Sequence, residues 1–108
     1  MREIKFRAWQ EDAVEKDLRF WTWEEMLEHD LNVMVNNPKY KIMQYTGLKD
    51  KNGVEIYEYN ELDGAYEVIF QEAKYVLRHI SNNVIIDLYD YWRGKNGEVE
   101  VTREYTKV

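Results

Sequence analysis

The sequence contains no cysteine among its 108 residues. Disulfide cross-links, thiolate nucleophiles and cysteine-ligated zinc are therefore excluded. Proline occurs once and glycine five times, and no stretch rich in proline, glycine or serine separates one part of the chain from another. Because the length is also close to that of a typical domain, we predict a single domain spanning residues 1–108.

Long apolar runs are also missing. Apolar runs are no longer than three residues, as in Val84-Ile85-Ile86, which ends at Asp87, whereas a membrane-spanning helix needs about 20 apolar residues. Glu3 interrupts the basic residues at the start of the chain, and no apolar segment of a signal peptide follows them. We therefore expect no contact with a membrane and a cytoplasmic location.

The residues that carry most enzyme chemistry are scarce. Ser81 is the only serine, and its neighbours Asn82-Asn83 indicate that its hydroxyl serves a turn. His29 and His79 lie far apart and in no spacing that places two metal ligands together. The sequence also has no glycine-rich phosphate-binding motif. We predict no catalytic residues, no metal and no cofactor, and hence a protein that is not an enzyme.

Acidic residues outnumber basic ones by 21 to 15, which gives a formal net charge of −6. Such a balance argues against coating a nucleic-acid duplex, because phosphate binding relies on clustered lysine and arginine. The charge can serve solubility, or it can form an acidic surface that meets a basic partner.

The start of the chain alternates, with Ile4, Phe6 and Ala8 on one face, and this period of two is typical of a half-buried strand. Further short segments rich in apolar and aromatic residues lie between turn signals, which favours more strands. We predict strands over residues 2–9, 18–23, 40–45, 54–59, 66–70, 75–80, 84–92 and 99–105. Residues 10–17 are charged and predict a turn or loop. Within residues 71–79 a helix is the alternative, since Ala73, Leu77 and Ile80 also have helical spacing.

One helix has a clear start signal at Thr22. The segment Thr22-Trp23-Glu24-Glu25 matches a capping box, in which the threonine hydroxyl and Glu25 satisfy free backbone N–H groups at the helix start. Residues 31–35 either continue this helix or form a strand. Together with the strands, this predicts a mainly β (β-rich α+β) fold: a small partly open barrel, or a compact antiparallel sheet with one short helix.

A hairpin turn is predicted between the strands at residues 40–45 and 54–59. Asn52 and Gly53 lie there, and asparagine and glycine tolerate the positive φ of a tight turn. Its structural residues are expected to be Thr46, Gly47, Asp50, Asn52 and Gly53. A calcium loop is the alternative, but it would place Leu48 and Tyr59 at ligand positions that require carboxylates. The turn therefore explains the segment better.

Aromatic residues make up 15% of the chain. At alternate strand positions they usually belong to a core or to a contact between subunits. Stacking on single-stranded bases is the alternative, with Arg78 and Arg93 as the nearby cations. The candidate interface residues are Trp21, Trp23, Tyr89, Tyr91 and Trp92.

Two stretches together resemble the YopX family, whose members occur in phages and prophages of Gram-positive bacteria. They are Arg2-Glu3-Ile4-Lys5-Phe6-Arg7-Ala8-Trp9 and the block from Met43 to Gly53 followed by Glu55-Ile56-Tyr57-Glu58. The resemblance implies a β-rich domain, a phage or prophage origin and a homo-oligomer. It implies no catalytic residues, because the family has no established activity. Beyond Glu58, the segments Tyr59-Asn60-Glu61-Leu62 and Thr102-Arg103-Glu104-Tyr105 depart from the family's pattern.

The sequence thus leads to one main expectation, a non-enzymatic phage accessory protein that acts through protein contacts as a homo-oligomer and that can bind an unidentified host or phage protein. The alternatives are an acidic regulator of a nucleic-acid-binding protein and a weak binder of single-stranded nucleic acid. Direct binding to nucleic acid is disfavoured by the charge.

Overall fold

The computed structural model describes residues 4–12 and 17–105. The chain divides into two compact units, one ending at Tyr45 and the other comprising residues 46–105. Parts of the predicted strand at 2–9 and of the predicted loop at 10–17 lie outside the described residues.

The first unit is built on three antiparallel strands: β1 (Phe6–Asp12), β2 (Asp17–Trp21) and β3 (Tyr40–Lys49), of which β3 continues into the second unit. Strand β1 lies in the middle, with Ala8 opposite Trp21 on one side and Ile42 on the other. The predicted loop beginning at residue 10 is wrong for Gln10 to Asp12, because their backbone continues the pairing with β2.

Two short helices follow β2. The predicted capping box starts α1 (Trp23–Leu27): the backbone N–H of Glu25 donates to the Thr22 hydroxyl at 3.2 Å, and the Thr22 N–H donates to Glu25 Oε1 at 3.0 Å. A second helix, α2 (Leu31–Asn36), starts at Asp30, whose carboxylate accepts from two backbone N–H groups. Residues 31–35 are therefore helical, but they belong to a separate helix with its own cap.

The helices of this unit cover one face of its strands. Met26 from α1 and Met34 from α2 are completely buried with Ala8 of β1. Partly buried apolar side chains complete the cluster: Phe6, Trp21, Trp23, Leu31, Tyr40 and Ile42. Helices this short are stable only when docked, so their stability comes from this apolar contact.

The second unit contains the end of β3 and the other six strands of the described residues. These are β4 (Glu55–Tyr57), β5 (Glu61–Leu62), β6 (Tyr66–Gln71), β7 (Lys74–His79), β8 (Ile85–Asp87) and β9 (Val101–Arg103). Strand β4 lies beside β3, and the other five form an antiparallel sheet in the order β8-β7-β6-β5-β9. The predicted strand-rich fold class is confirmed. The helical alternative for residues 71–79 is wrong.

A third helix, α3 (Leu88–Gly94), replaces the second half of the strand predicted for residues 84–92. The prediction is wrong from Leu88 onwards because the Asp87 carboxylate accepts the backbone N–H of Asp90 at 3.0 Å and so caps a helix start. The new direction buries Leu88 completely. The described residues thus contain three short helices where the sequence predicted one.

The turn between β6 and β7 has no glycine or asparagine. Glu72 and Ala73 both adopt positive φ, at 53° and 65°, and connect Gln71 directly to its partner Lys74. A two-residue hairpin favours this backbone because its twist matches that of the strands. No glycine, asparagine or proline marks this turn in the sequence, and the helical spacing of Ala73, Leu77 and Ile80 made a helix the alternative.

The core of the second unit is lined by fully buried apolar side chains from most of its elements: Ile56, Leu62, Val68, Tyr75, Leu77, Leu88 and Val99. Among the residues that the structure describes, no helix is long and apolar enough to cross a membrane.

Candidate functional site

A polar cluster forms where the β5–β6 turn meets α3 in the second unit. The turn consists of Asp63 and Gly64 with φ of 53° and 66°, closed by the Ala65 N–H donating to the Leu62 carbonyl at 3.0 Å. Asp63 exchanges two hydrogen bonds with Glu100: its N–H donates to the Glu100 carbonyl, and its Oδ1 accepts from the Glu100 N–H, both at 2.9 Å. The carboxylate is thereby fixed in place.

Two side chains from the end of α3 complete this cluster. Tyr91 and Lys95 are four residues apart and so lie on the same side of the helix. The Tyr91 hydroxyl donates to Asp63 Oδ2 at 2.6 Å, and the Lys95 ammonium donates to the same oxygen at 3.3 Å. The Lys95 ammonium also lies over the Tyr91 ring, 4.9 Å from its centre.

The burial and the hydrogen bonds of these three groups shift their pKa values. Burial and the Asp63 carboxylate raise the pKa of the Tyr91 hydroxyl. Burial works against the charge of Asp63, but the bonds from Tyr91, from the Glu100 N–H and from Lys95 outweigh it, so the pKa of the carboxyl is lowered. The hydrogen bonds to Tyr91 and Asp63 raise the pKa of Lys95.

An activated nucleophile or base needs a pKa moved towards neutrality. Here the phenol and the ammonium hold their protons more firmly, and the carboxylate stays ionised at lower pH. The hydrogen bonds from Tyr91 and Lys95 to Asp63 fasten α3 to the turn.

Asp50, one of the predicted turn residues, holds together two distant parts of the second unit. Its Oδ1 accepts the backbone N–H groups of Asn52 at 2.8 Å and Val54 at 2.9 Å, and its Oδ2 accepts the N–H of Val101 at 2.9 Å. The side chain is only 6% exposed. Burial raises the pKa of the carboxyl, but the three N–H groups outweigh this effect and lower it.

The other predicted turn residues lie on either side of Asp50. Asn52 and Gly53 are exposed in the turn itself, and Gly53 has a φ of 79°. Thr46 and Gly47 lie inside β3, not in the turn. Thr46 is completely buried, and its hydroxyl donates to the Ile56 carbonyl at 2.7 Å. Gly47 has a φ of 89°, which explains why a glycine occupies this strand position.

The aromatic residues of α3 direct their polar ends into the second unit. The Tyr89 hydroxyl donates to the Thr46 carbonyl at 2.6 Å, and the Trp92 indole N–H donates to the Lys49 carbonyl at 2.9 Å. Together with Tyr91, these residues are half-buried. They join α3 to β3 and to the β5–β6 turn, and an additional role in an interface stays a prediction.

The two predicted interface tryptophans of the first unit are also half-buried. The Trp21 indole N–H donates to Gln10 Oε1 at 2.6 Å, and the Arg19 guanidinium lies over the Trp21 ring at 4.0 Å from its centre. Trp23 packs against Phe6, with ring centres 5.6 Å apart. Trp21 and Trp23 belong to the first unit, and the aromatic residues of α3 belong to the second.

Both arginines considered for binding phosphate are paired with carboxylates. Arg78 of β7 pairs with Glu67 on the neighbouring strand, and Arg93 pairs with Asp90 one turn earlier in α3. The positive charge available to a nucleic-acid backbone at these positions is correspondingly reduced.

Sequence reasoning missed a group of exposed apolar side chains on the β7–β8 hairpin. Ile80 is 53% exposed, Val84 52% and Ile85 43%. The run Val84-Ile85-Ile86 is visible in the sequence, but an apolar run by itself does not indicate that its side chains are exposed. The Asp63 cluster was also missed, because its members come from segments that are far apart in the chain.

Comparison with known families gives one match: the family model described as YopX protein matches residues 5–104. No curated protein matches the chain.

Proposed function

The chain belongs to the YopX family, and we propose that it is a phage or prophage accessory protein that acts through protein–protein contacts as a homo-oligomer and catalyses no reaction. The family's occurrence in phage genomes supports the origin. The protein-contact role is supported by the surface of the second unit.

The observation that carries this proposal is the exposed apolar group on the β7–β8 hairpin. Single exposed apolar residues are normal on a protein surface. Here Ile80, Val84 and Ile85 occur within six residues, and each exposes 43% or more of its surface. Such a concentration is typical of a surface that another protein covers.

The chemistry of the polar residues supports a role without catalysis. The best-organised groups, Asp50 and the cluster of Asp63, Tyr91 and Lys95, accept or donate hydrogen bonds within the second unit. Their pKa values move away from those that proton transfer at neutral pH requires.

Size-exclusion chromatography with multi-angle light scattering tests the oligomer directly. We expect a mass above that of one chain at concentrations from about 10 to 500 μM, a range that covers the affinities of many weak interfaces. The oligomer should persist in high salt, because apolar contacts are not weakened by screening. A mass of one chain across the whole concentration range would contradict the proposal.

An acidic regulator is a second candidate, favoured by the helices of the first unit. Residues 20–38 contain four carboxylates and no lysine or arginine. Glu24 and Glu28 are exposed, whereas Glu25 pairs with Arg19 and caps α1. The free charge on α1 is therefore carried by Glu24 and Glu28.

A comparative pull-down from infected host cells tests this second candidate. The double variant Glu24→Gln/Glu28→Gln should lose a basic partner that the unmodified protein retains. The control is Glu72→Gln/Glu98→Gln, which removes two exposed carboxylates of the second unit. Equal capture by both double variants would argue against a role for the α1 surface.

A further inference from the structure

Strand β8 is an open edge of the five-stranded sheet. It is the outermost strand, paired with β7 on one side, and within the described residues no strand lies on its other side. An open edge presents unpaired backbone groups and is a template for another strand. The register between β7 and β8 determines which backbone N–H and C=O groups of β8 are directed outwards.

The backbone of Ile85 points away from the sheet. The His79 N–H donates to the Val84 carbonyl at 2.9 Å, so Val84 forms a hydrogen-bonded pair with β7. Hydrogen-bonded and non-hydrogen-bonded pairs alternate along an antiparallel ladder. The pair of Arg78 and Ile85 is therefore non-hydrogen-bonded, and the N–H and C=O of Ile85 are directed outwards.

The hydrogen bonds of β7 towards β6 show the same alternation. The Ile80 N–H donates to the Ala65 carbonyl at 2.9 Å, on the side of β7 opposite to β8. Even-numbered residues of this part of β7 thus bond towards β6, and odd-numbered ones bond towards β8. Ile85, opposite Arg78, consequently has no backbone partner in β7.

Strand β8 also has few of the features that protect an edge from pairing. Lysine, proline and bulges commonly block edges. The segment Val84-Ile85-Ile86 has neither lysine nor proline, and two of its three side chains are more than 40% exposed. Its brevity and the Asp87 cap that begins α3 limit the pairing to a few residues.

The charges beside β8 favour a second copy of this chain as the occupant. A net charge of −6 repels another copy at most surfaces. Next to β8, however, Lys74 pairs with Asp87 at 3.6 Å and Arg78 pairs with Glu67. Residues 73–86 themselves contain no carboxylate. Two copies can therefore approach here with balanced charges.

We propose that β8 pairs with β8 of a second copy in an antiparallel arrangement centred on Ile85. Two-fold symmetry places Ile85 opposite the same residue of the partner, where each N–H donates to the other C=O and the two exposed side chains cover each other. The two sheets then continue as one. This inference rests on the proposed self-association and names the surface responsible for it.

Proline at position 85 is the sharpest test, because it removes an outward donor that β7 does not use. Ile85→Pro should keep the circular-dichroism spectrum of the folded protein and raise the dimer dissociation constant at least tenfold. Ile85→Lys provides a second variant that leaves the backbone unchanged and blocks the edge with a charge. If the proline variant does not fold, the dimer dissociation constant of Ile85→Lys tests the strand pairing instead.

Val54→Lys is the matched control, since it places the same charge on a comparably exposed apolar residue of the second unit that lies outside the β7–β8 hairpin and whose N–H is bonded to Asp50. It should dimerise as the unmodified protein does. Loss of the dimer in Val54→Lys to the same extent would overturn strand pairing at β8, because the effect would then be that of any added surface charge.

Light scattering separates the two proposals. A dimer that Ile85→Pro and Ile85→Lys abolish supports pairing at β8. An oligomer that survives both substitutions overturns the pairing but leaves self-association intact, and species larger than a dimer overturn the two-fold arrangement. A chain that is monomeric at every concentration overturns both the pairing and the proposed oligomer.

Discussion

Replacing Asp50 by asparagine removes one acceptor from a nearly buried group of three backbone donors. The amide keeps most of its hydrogen bonds if its oxygen takes the place of Oδ1, which serves Asn52 and Val54. Its NH₂ group then faces the N–H of Val101, and two donors meet where a 2.9 Å hydrogen bond was. The change therefore acts mainly on the contact with Val101.

The expected loss follows from the charge and burial of Asp50. A hydrogen bond to a charged group contributes about 1.5–3 kcal/mol, and an unsatisfied buried donor costs a similar amount. Because Asp50 is only 6% exposed, water replaces the lost partner poorly. We expect Asp50→Asn to lower the free energy of unfolding by about 2–3 kcal/mol.

The pH dependence gives an independent signature of this carboxylate. Since the folded state lowers the pKa of Asp50, its contribution is fully present above the ordinary aspartate value of about 3.9. It is lost as the pH falls through the lower pKa of the folded state. The difference in stability between the unmodified protein and Asp50→Asn should thus be constant above about pH 5 and shrink below about pH 4.

Urea denaturation with hydrogen exchange provides the assay. The Val101 amide should exchange faster in Asp50→Asn, while the Asn52 and Val54 amides change little. Asp90→Asn is the control: Asp90 is exposed and pairs with Arg93 on the surface, so its loss should change stability by less than about 0.5 kcal/mol. An Asp50→Asn variant as stable as this control would refute the assigned role of Asp50.

Three further substitutions test the second and first units by their unfolding free energies. Gly97→Ala should lower stability by about 1–3 kcal/mol, because φ is 76° and the new Cβ would lie 3.2 Å from the Trp92 ring. Tyr91→Phe should lower it by about 1–2 kcal/mol through loss of the bond to Asp63. Thr22→Ala should lower it by about 1 kcal/mol through loss of the α1 cap.

Two of these substitutions have a matched control variant. Gly94 lies in α3, and a Cβ added there would have no neighbour within 4 Å, so Gly94→Ala should leave stability unchanged or raise it. Thr22→Ser keeps the capping hydroxyl and should be nearly neutral. For Tyr91→Phe, an unchanged stability together with an unchanged exchange rate of the Glu100 amide would contradict the proposed fastening of the β5–β6 turn.

Local signals in the sequence were sufficient where a short segment determines its own structure. The capping box at Thr22 and Glu25 is closed by residues three positions apart, so its pattern can be read directly. The strands β6 and β7 follow from short runs of β-branched and aromatic residues. Membership of the YopX family was also predicted from the sequence, and the match to residues 5–104 confirms it.

Residues 88–92 show why other elements could not be predicted. Leucine, tyrosine and tryptophan suit a strand, and the preceding apolar run favours one. The helix forms because Asp87 caps it and because Leu88 becomes buried in the core. Asp87 was read as the end of an apolar run, and its capping role depends on a change of chain direction that packing imposes.

The polar clusters lay beyond sequence reasoning for a different reason. Asp50 has a recognisable local role in the turn, but its bond to Val101 joins residues 51 positions apart. The bond between Tyr91 and Asp63 spans 28 positions. Neither spacing belongs to a periodic pattern, so these contacts appear only once the strands have been assembled.

We expect the two oxygens of the Asp50 carboxylate to form their hydrogen bonds at different stages of folding. The bonds of Oδ1 to Asn52 and Val54 close within one turn, which a hairpin can form in microseconds. The bond of Oδ2 to Val101 must wait until a segment of 51 residues has closed on itself. We therefore expect loss of the Val101 bond to speed unfolding more than it slows folding.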